Sequence, residues 1–408
     1  MVINILFLIL GFALLIKGAD YLVKGASDIA KKLCIPQIII GLTIVSIGTS
    51  MPELIVSLNS AINHHSDIAI GNVVGSNISN LFLILGICAA IKPLKFKNET
   101  VRLEIPLVIF LTALLYILGN NGNGNYKIIT KSEGLILVIC CTFFVLYNIY
   151  MAKKNNKSND DEENNISIRN KKNSIFKSLY RIIIGIVGLK FGGDFVVDSA
   201  SAIATSLGVS EKIIGLTIVA FSTSLPELIT SITATIRNEI DMAIGNVIGS
   251  NIFNIVLIVG ATALIRPIDY SISYNKDIII LMIGMIVLFV IPFIGEKNKI
   301  SRFSGLAYVV SYISYLASMI YISVWKRGDW ENYLHLSKNV GNFLSPILSI
   351  FLLFYIKNTK RYSFWTQNMV KYICWVWNFT INVNTYIGGI LNEKVEYEFF
   401  CEWKCPNM

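Results

Sequence analysis

One segment of the chain occurs twice, and this duplication restricts the fold more than any other feature. Residues 41–93 (the first copy) and 215–267 (the second copy) align without a gap at an offset of 174 positions, and 30 of the 53 aligned residues are identical. The first copy opens with GLTIVSIGTSMPELIVS and the second with GLTIVAFSTSLPELITS. Internal duplication explains an identity of this extent, so we expect the chain to fold as two similar halves.

Both copies lie among apolar runs that are long enough to cross a membrane. The chain of 408 residues is 54% hydrophobic and only 15% charged, whereas a soluble protein carries about 25% charged residues. Runs of roughly 18 or more apolar residues match the length of a transmembrane helix. We therefore predict an all-α integral membrane protein with ten transmembrane helices. The runs lie near 3–23, 37–62, 68–91, 103–119, 133–151, 179–198, 212–236, 242–265, 277–295 and 304–325.

The order of these runs divides the chain into two repeats. Residues 1–151 contain five runs and form the first repeat, and residues 178–325 contain the other five and form the second. Residues 152–177 include KKNNKSNDDEENN, which is too hydrophilic to bury a core, and are predicted to be a loop. Because five is an odd number, the second repeat must enter the membrane from the opposite side, which gives the inverted-topology repeat typical of secondary transporters. Residues 326–408 have no counterpart in the repeat, and 340–356 are a candidate for an extra helix.

The basic residues predict the orientation of the chain. The formal net charge is +9, but Lys and Arg are concentrated in the connections between apolar runs, so membrane topology explains them better than binding to nucleic acid. If the hydrophilic loop is cytoplasmic, 19 basic residues lie on its side of the membrane and 5 on the other. The positive-inside rule then places the N-terminus outside, in a plasma or inner membrane. The expected surroundings are membrane lipid, and no protein partner or cofactor is implied.

Each copy contains a glutamate within an apolar run, directly after a proline. Glu53 follows Pro52, and Glu227 follows Pro226. Proline lacks a backbone N–H and disfavours helix at the preceding residue, so we expect each helix to be kinked or broken there. An ionisable residue in a membrane helix is a functional hypothesis by default. A protonated, purely structural acid is the alternative, and its occurrence in both copies makes that alternative weaker.

Oxygen-bearing side chains accompany both glutamates at helical spacing. Hydroxyl groups lie three and four residues before each glutamate on the same helix face, and the next helix carries polar residues at steps of four. The helix break also releases main-chain carbonyl groups near Ser46 and Ala220, which need a partner in hydrocarbon. Oxygen ligands without His or Cys suit a hard cation such as Ca²⁺, which takes about 6–8 of them. The side-chain candidates are Thr49, Ser50, Asn72, Ser76, Asn80, Thr223, Ser224, Asn246, Ser250 and Asn254.

Two further residue types in the copies have structural interpretations. Asp67 and Asp241 stand where the second helix of each copy begins, and aspartate there is predicted to cap the helix. Pairs of glycines four residues apart are predicted to let neighbouring helices approach closely. These pairs are Gly71 with Gly75 and Gly245 with Gly249.

The motifs resemble those of the calcium/cation antiporter superfamily, the sodium/calcium exchangers. The resemblance rests on GTSMPEL (48–54), STSLPEL (222–228), GNVVGSNISN (71–80) and GNVIGSNIFN (245–254). It implies ten helices in two inverted repeats and exchange of Ca²⁺ for Na⁺ by alternating access, with helices 1 and 6 sliding across the rest. Carried over by position, it implies ion ligation by Thr49, Ser50, Glu53, Ser76, Asn80, Thr223, Ser224, Glu227, Ser250 and Asn254, with main-chain oxygens of Ser46 and Ala220.

Three positions affect how far the resemblance extends. Ser222 stands where the first copy has Gly48 and where the family usually has glycine, so the kink or the ligand set of the second copy could differ. Asn80 and Asn254 are both asparagine, whereas potassium-dependent and some prokaryotic exchangers have aspartate at one of these positions. The asparagines lower the charge of the site and argue against K⁺ dependence.

Several functions other than Na⁺/Ca²⁺ exchange stay open on the sequence alone. The glutamates could release protons in an H⁺/Ca²⁺ or other cation exchanger. A cation channel would conduct without a counter-ion, and a membrane scaffold would not transport at all. Paired acids in inverted repeats favour an antiporter over a channel. The sequence contains no catalytic constellation, so an enzyme is not predicted.

Overall fold

The computed structural model of the protein describes residues 2–63, 66–121, 127–157, 168–206, 222–294 and 298–325. The candidate helix at 340–356 lies outside these residues, as does the central part of the predicted hydrophilic loop. The described residues up to Met319 pack as one unit.

The first half of the chain consists of helices that match the apolar runs. Two π-helical segments, Gly41–Val45 and Ser79–Ile84, lie between consecutive α-helices, and a third, Thr100–Glu104, directly precedes α7. The α-helices are α1 (Val2–Lys32), α2 (Gln37–Ile40), α3 (Ser46–Thr49), α4 (Met51–Ile62), α5 (Ser66–Ile78), α6 (Leu85–Ile91), α7 (Ile105–Asn120) and α8 (Lys131–Lys157).

The second half repeats this order. A π-helical segment, Asn254–Val259, follows the second helix of the second copy, as Ser79–Ile84 does in the first. The α-helices are α9 (Ile168–Ser206), α10 (Leu225–Ile236), α11 (Ile240–Phe253), α12 (Gly260–Ile265), α13 (Tyr274–Ile294) and α14 (Arg302–Trp325).

The distribution of polar and apolar side chains is that of a membrane protein. Among the described residues, six helices are long and apolar enough to span a membrane, and the bent pair 37–62 adds a seventh. Large apolar side chains such as Phe143 and Phe293 are 68% and 64% exposed on the outside. In contrast, all but one of the hydroxyl and amide side chains of α10 and α11 are buried, the exception being the half-buried Thr233. Apolar residues outside and polar residues inside suit a protein surrounded by lipid.

The predicted kink at the first proline is confirmed. The helix 37–49 ends before Ser50, and α4 continues from Met51 at an angle of 46°. Pro52 lies in the first turn of α4, where its missing N–H would have no helical partner in any case. In the second copy α10 likewise begins one residue before its proline, Pro226. Residues 207–221, which precede it, lie outside the described part of the chain.

Two short antiparallel strand pairs connect the halves. Strand β1 (Leu94–Lys95) pairs with β4 (Lys299–Ile300), and β2 (Ile128–Ile129) pairs with β3 (Ile268–Asp269). Paired strands lie at the same end of the helices. This grouping agrees with the charge analysis, which assigns the connections of β1 and β4 to one side of the membrane and those of β2 and β3 to the other.

Helices α1 and α9 pack closely through glycines. A Cβ atom added to Gly18 would lie 2.8 Å from the backbone N of Leu189, and one added to Gly185 would lie 2.6 Å from the backbone N of Leu22. Side chains at these positions would separate the helices. Small residues that allow such backbone contact are a common means of helix association in membranes.

The predicted capping role of Asp241 is wrong. Helix α11 begins at Ile240, its cap residue is Glu239, and no side chain forms a capping hydrogen bond there. Asp241 lies inside the first turn, and its carboxylate forms an ion pair with Lys97 at 2.7 Å. Asn238, which has a positive φ of 64°, ends the preceding helix α10. The side chain of Asp67 lies outside the described residues.

Candidate cation-binding site

The two glutamates lie in the interior of the protein, each in the first turn of a helix. Glu53 is 1% exposed and belongs to α4, and Glu227 is 0% exposed and belongs to α10. The positive end of a helix dipole favours a carboxylate at this position. Ser50, three residues before Glu53 in the chain, contacts Oε1 of Glu227 at 2.9 Å, so the two acids lie close to each other. The structure thus brings together two acids that are 174 residues apart in sequence.

A pair of matched hydrogen bonds crosses between the two copies next to the glutamates. The Thr49 hydroxyl donates to Oδ1 of Asn246 at 3.2 Å, and the Thr223 hydroxyl donates to Oδ1 of Asn72 at 3.2 Å. Each bond joins a threonine of one copy to an asparagine of the other. Equal partners and equal distances show that the two copies meet here in equivalent arrangements.

The same asparagines also hold the helices of their own copy together. Asn72 Nδ2 donates to the main-chain oxygen of Glu53 at 3.2 Å and to Ser57 Oγ at 3.0 Å. Asn246 Nδ2 donates to Ser231 Oγ at 2.9 Å in the matching position. The sequence analysis treated Asn72 and Asn246 as candidate cation ligands. In the structure the NH₂ group and the oxygen atom of each amide have protein partners, which favours a positioning role over ligation.

The two carboxylates differ in their hydrogen bonding. Ser50 donates to Oε1 of Glu227 at 2.9 Å, which is another contact between the copies. Within the described part of the chain, neither carboxylate oxygen of Glu53 has a hydrogen-bond partner. Ser76 lies beside Glu53, and Ser224 is buried at the N-cap position of α10.

Several buried oxygen atoms in the two copies, those of the glutamates included, have no hydrogen-bond partner among the described residues. Burying a polar group without a partner is costly, and native proteins rarely leave such groups unpaired. A cation bound between the glutamates would satisfy oxygen atoms of this kind. Among these atoms are both carboxylate oxygens of Glu53, Oε2 of Glu227, Oδ1 of Asn80, Oδ1 of Asn254 and Oγ of Ser250.

In the first copy, the main-chain oxygen of Ser46, which the helix break was predicted to release, accepts hydrogen bonds from within the protein. The carbonyl oxygen of Ser46 accepts from the backbone N–H of Ser50 at 2.9 Å and from the Thr49 hydroxyl at 3.3 Å. The longer of these contacts competes with the bond from Thr49 to Asn246. Ala220, which corresponds to Ser46 in the second copy, lies outside the described residues.

Glycines of the second copy bring its helix α11 onto the first copy. A Cβ atom added to Gly245 would lie 2.6 Å from the main-chain oxygen of Ile38, and one added to Gly249 would lie 2.6 Å from Ser46 Oγ. The predicted close approach is therefore confirmed for this pair. Because α11 carries Asn246 and Ser250, this contact places those side chains beside the broken helix of the first copy.

Two π-helical segments were not foreseen from the sequence. Asn80 is the second residue of Ser79–Ile84, and Asn254 is the first residue of Asn254–Val259. Single π-helical turns are frequent at functional sites, because the wider turn changes the direction of side chains and the pattern of backbone hydrogen bonds. Spacing rules based on 3.6 residues per turn do not detect them.

The site is poor in charged ligands for a metal centre. Across the described ranges, no cluster of three or more His, Cys, Asp or Glu residues could hold a metal ion. The candidate site therefore combines two carboxylates with neutral hydroxyl and amide oxygens. Such a set binds hard cations and suits an ion that must also leave.

Comparison with known proteins assigns the chain to a family. The family model for sodium/calcium exchanger proteins matches residues 3–153 and 177–321. The chain belongs to the sodium/calcium exchanger family. It is therefore a multi-pass membrane protein of a family of cation antiporters. The two matched segments coincide with the two predicted repeats to within four residues at each end, and residues 322–408 are outside the match.

Relatives and a solved structure agree with this assignment. The sodium/calcium exchanger MaX1 of Methanosarcina acetivorans is 32% identical, with 78% of this chain and 99% of the relative covered. The inner membrane protein YrbG of Escherichia coli is 31% identical, with 78% and 96% covered. The structure of the sodium-calcium exchanger NCX_Mj soaked with 10 mM Na⁺ and zero Ca²⁺ matches with a TM-score of 0.66 and 33% identity, covering 78% of this chain and 99% of that one.

Proposed function

We propose that this exchanger moves Ca²⁺ against Na⁺ by alternating access at a site between the two copies. The observation that carries the proposal is the pair of fully buried glutamates with unpartnered oxygens, one from each copy. Ionised acids in the membrane interior are costly unless a cation balances them. The names of the related exchangers MaX1 and NCX_Mj support sodium and calcium as the ions.

The proposed ligands come equally from both copies. The threonine hydroxyls donate their hydrogen atoms to Asn246 and Asn72. A hydroxyl oxygen that donates its hydrogen keeps its lone pairs for another partner. The asparagines therefore leave the lone pairs of the threonine oxygens available to ligate a cation. In this proposal the asparagines do not ligate the ion themselves. The proposed set is Thr49, Ser50, Glu53, Ser76, Asn80, Thr223, Ser224, Glu227, Ser250 and Asn254, with main-chain oxygens of Ser46 and Ala220.

Charge explains why transport should be an exchange. The two glutamates balance one Ca²⁺, so the calcium-loaded site is neutral. Three Na⁺ on the same oxygens would leave one excess positive charge, which makes the cycle electrogenic. An empty site would carry two uncompensated charges, each costing at least about 2.5 kcal/mol in the membrane interior. The site therefore changes its side of access readily only when cations fill it.

We also propose that the fold is an inverted repeat of ten helices, with residues 1–151 and 178–325 as the repeats. The predicted loop 152–177 is then a cytoplasmic connection whose two ends are helical, because α8 extends to Lys157 and α9 begins at Ile168. Residues 326–408 form a separate tail. The matched crossing hydrogen bonds and the two strand pairs between the halves support this arrangement. The distribution of basic residues supports an N-terminus outside a plasma or inner membrane.

Cysteine labelling at equivalent positions tests the inverted repeat. Lys95 and Asp269 are both exposed and correspond to each other at the offset of 174 residues. In a variant without the native cysteines, we expect Lys95→Cys to react with a membrane-impermeant maleimide only from the cytoplasm and Asp269→Cys only from outside. Labelling of both positions from one side would exclude the inverted repeat. Opposite labelling with the sides exchanged would reverse the orientation alone.

Calcium uptake into proteoliposomes tests the coupling ion. With Na⁺ inside and none outside, we expect Ca²⁺ to accumulate, and we expect accumulation to stop when Na⁺ is replaced by choline. A pH gradient should not substitute for the Na⁺ gradient. Uptake that follows the pH gradient and ignores Na⁺ would identify a proton-coupled exchanger. Calcium flux without any counter-ion would identify a channel.

A further inference from the structure

Two buried asparagines from different copies, Asn77 and Asn254, are joined by a hydrogen bond. We infer that Asn77 is a positioning residue that holds the amide of Asn254 with its oxygen directed toward the cation. The inference rests on the proposed function, because Asn254 is one of the proposed ligands. Asn77 is not itself in the ligand set.

Two hydrogen bonds determine which end of each amide is the oxygen and which is the NH₂ group. The first of them is to a main-chain oxygen. Asn77 Nδ2 donates to the main-chain oxygen of Asn251 at 3.3 Å, and Asn254 Nδ2 donates to Oδ1 of Asn77 at 3.0 Å. A main-chain carbonyl oxygen can only accept a hydrogen bond. The group of Asn77 that faces Asn251 must therefore be its NH₂, so its oxygen faces Asn254 and receives the NH₂ group of that residue. The oxygen of Asn254 is the end that remains.

This orientation decides whether Asn254 attracts or repels a cation. An amide oxygen is a ligand for hard cations, whereas an amide NH₂ group donates hydrogen bonds and carries partial positive charge. Oδ1 of Asn254 has no hydrogen-bond partner among the described residues, so it is free to ligate. Without Asn77, the amide of Asn254 could rotate and present its NH₂ group to the ion.

The second copy provides a matched control for Asn77. Asn251 occupies the equivalent motif position, and both residues are 0% exposed. Neither polar side-chain atom of Asn251 has a hydrogen-bond partner among the described residues. The Asn77 bond to Asn251 uses the main chain of Asn251, which a side-chain substitution leaves in place. Replacing either asparagine by alanine removes the same atoms from the interior, but only at Asn77 does it release Asn254.

The test compares three variants in the proteoliposome assay and in a binding assay. Asn77→Ala should raise the Ca²⁺ concentration for half-maximal uptake about tenfold, the effect of about one neutral hydrogen-bonding ligand. Asn251→Ala should change it less than about twofold. Asn77→Asp should recover most of the loss, because a carboxyl oxygen at this position still accepts from Asn254 Nδ2 in either protonation state. Thermal stabilisation of the purified protein by added Ca²⁺ provides the second readout.

Each outcome supports or overturns the inference. A larger loss of calcium affinity in Asn77→Ala than in Asn251→Ala, with recovery in Asn77→Asp, supports it. Equal losses in both alanine variants, or an aspartate variant no better than alanine, would show that the amide only fills space. If the wild-type protein shows no Na⁺-driven uptake, the proposed function fails, and the order of the variants in calcium stabilisation still decides the positioning role. No calcium stabilisation of the wild type would overturn both.

Discussion

Replacement of Glu53 or Glu227 by glutamine is expected to lower Na⁺-driven Ca²⁺ uptake about 100-fold, because loss of a buried contact to a charged group costs about 3 kcal/mol. Glutamine keeps the shape of glutamate but carries no charge, so one charge of the bound Ca²⁺ would be uncompensated in the interior. Both glutamates are buried and come from different copies, so we expect either single change to be sufficient. Initial rates of Ca²⁺ uptake into proteoliposomes measure the effect.

A third glutamate offers a matched control for this prediction. Glu104 is also buried and also has an unpartnered carboxylate oxygen among the described residues. It lies in the π-helical segment Thr100–Glu104, with Lys97 and Asp241 in its surroundings, outside the proposed ligand set. Glu104→Gln is expected to keep at least about half of the uptake rate. Equal losses in all three variants would show that any buried acid is needed for folding, which would contradict a specific role for Glu53 and Glu227.

Substitution of Gly245 by alanine is expected to abolish transport through the packing of the two copies. The added Cβ would lie 2.6 Å from the main-chain oxygen of Ile38 and 2.9 Å from the backbone N of Leu42. Backbone atoms of a packed helix cannot yield as a side chain can, so α11 would have to move away from the first copy. Overpacking of this kind typically costs about 1–3 kcal/mol. The variant should show a lower thermal unfolding temperature and no measurable Ca²⁺ uptake.

Gly48 provides the comparison, because an added atom there meets only the end of a flexible side chain. A Cβ at Gly48 would lie 2.7 Å from Cδ1 of Ile186, which can change its rotamer. Gly48→Ser gives the first copy the residue that the second copy has at Ser222. We expect this variant to fold and to retain transport. A protein that tolerates Gly245→Ala as well as Gly48→Ser would contradict the close contact between α11 and the first copy.

The helices and their breaks could be predicted from the sequence because they depend on local properties. The apolar runs gave helix positions within a few residues in most cases, since burial in lipid requires a continuous apolar segment. The kink before Pro52 follows from the missing N–H of proline. The close contact at Gly245 could be predicted because glycines four residues apart in a membrane helix indicate a site where another helix can approach closely. The total of ten transmembrane helices stays a prediction, because the described residues contain six candidate spans, or seven with the bent pair.

The roles of individual asparagines could not be predicted, because they depend on how distant helices cross. Asn72 and Asn246 have the spacing of ligands, but their oxygen atoms accept from threonines of the other copy. Asn77 lies in the repeated motif, but only its contacts with Asn251 and Asn254 in the other half indicate the positioning role proposed for it. Helical periodicity predicts which residues share one face of a helix, but it does not predict which other helix packs against that face. Where π-helical turns interrupt an α-helix, the residues after them also lie on a different face from the one that α-helical spacing predicts.

The central claim is that one Ca²⁺ ion is held jointly by the glutamates of the two copies. Anomalous diffraction from crystals of the wild-type protein grown with Ca²⁺ and without Na⁺ tests it most directly. We predict a single strong peak at about 2.3–2.6 Å from carboxylate oxygens of both Glu53 and Glu227, which disappears when Na⁺ replaces Ca²⁺. A calcium peak that contacts only one glutamate, lies elsewhere in the protein, or persists unchanged in high Na⁺ would contradict the account.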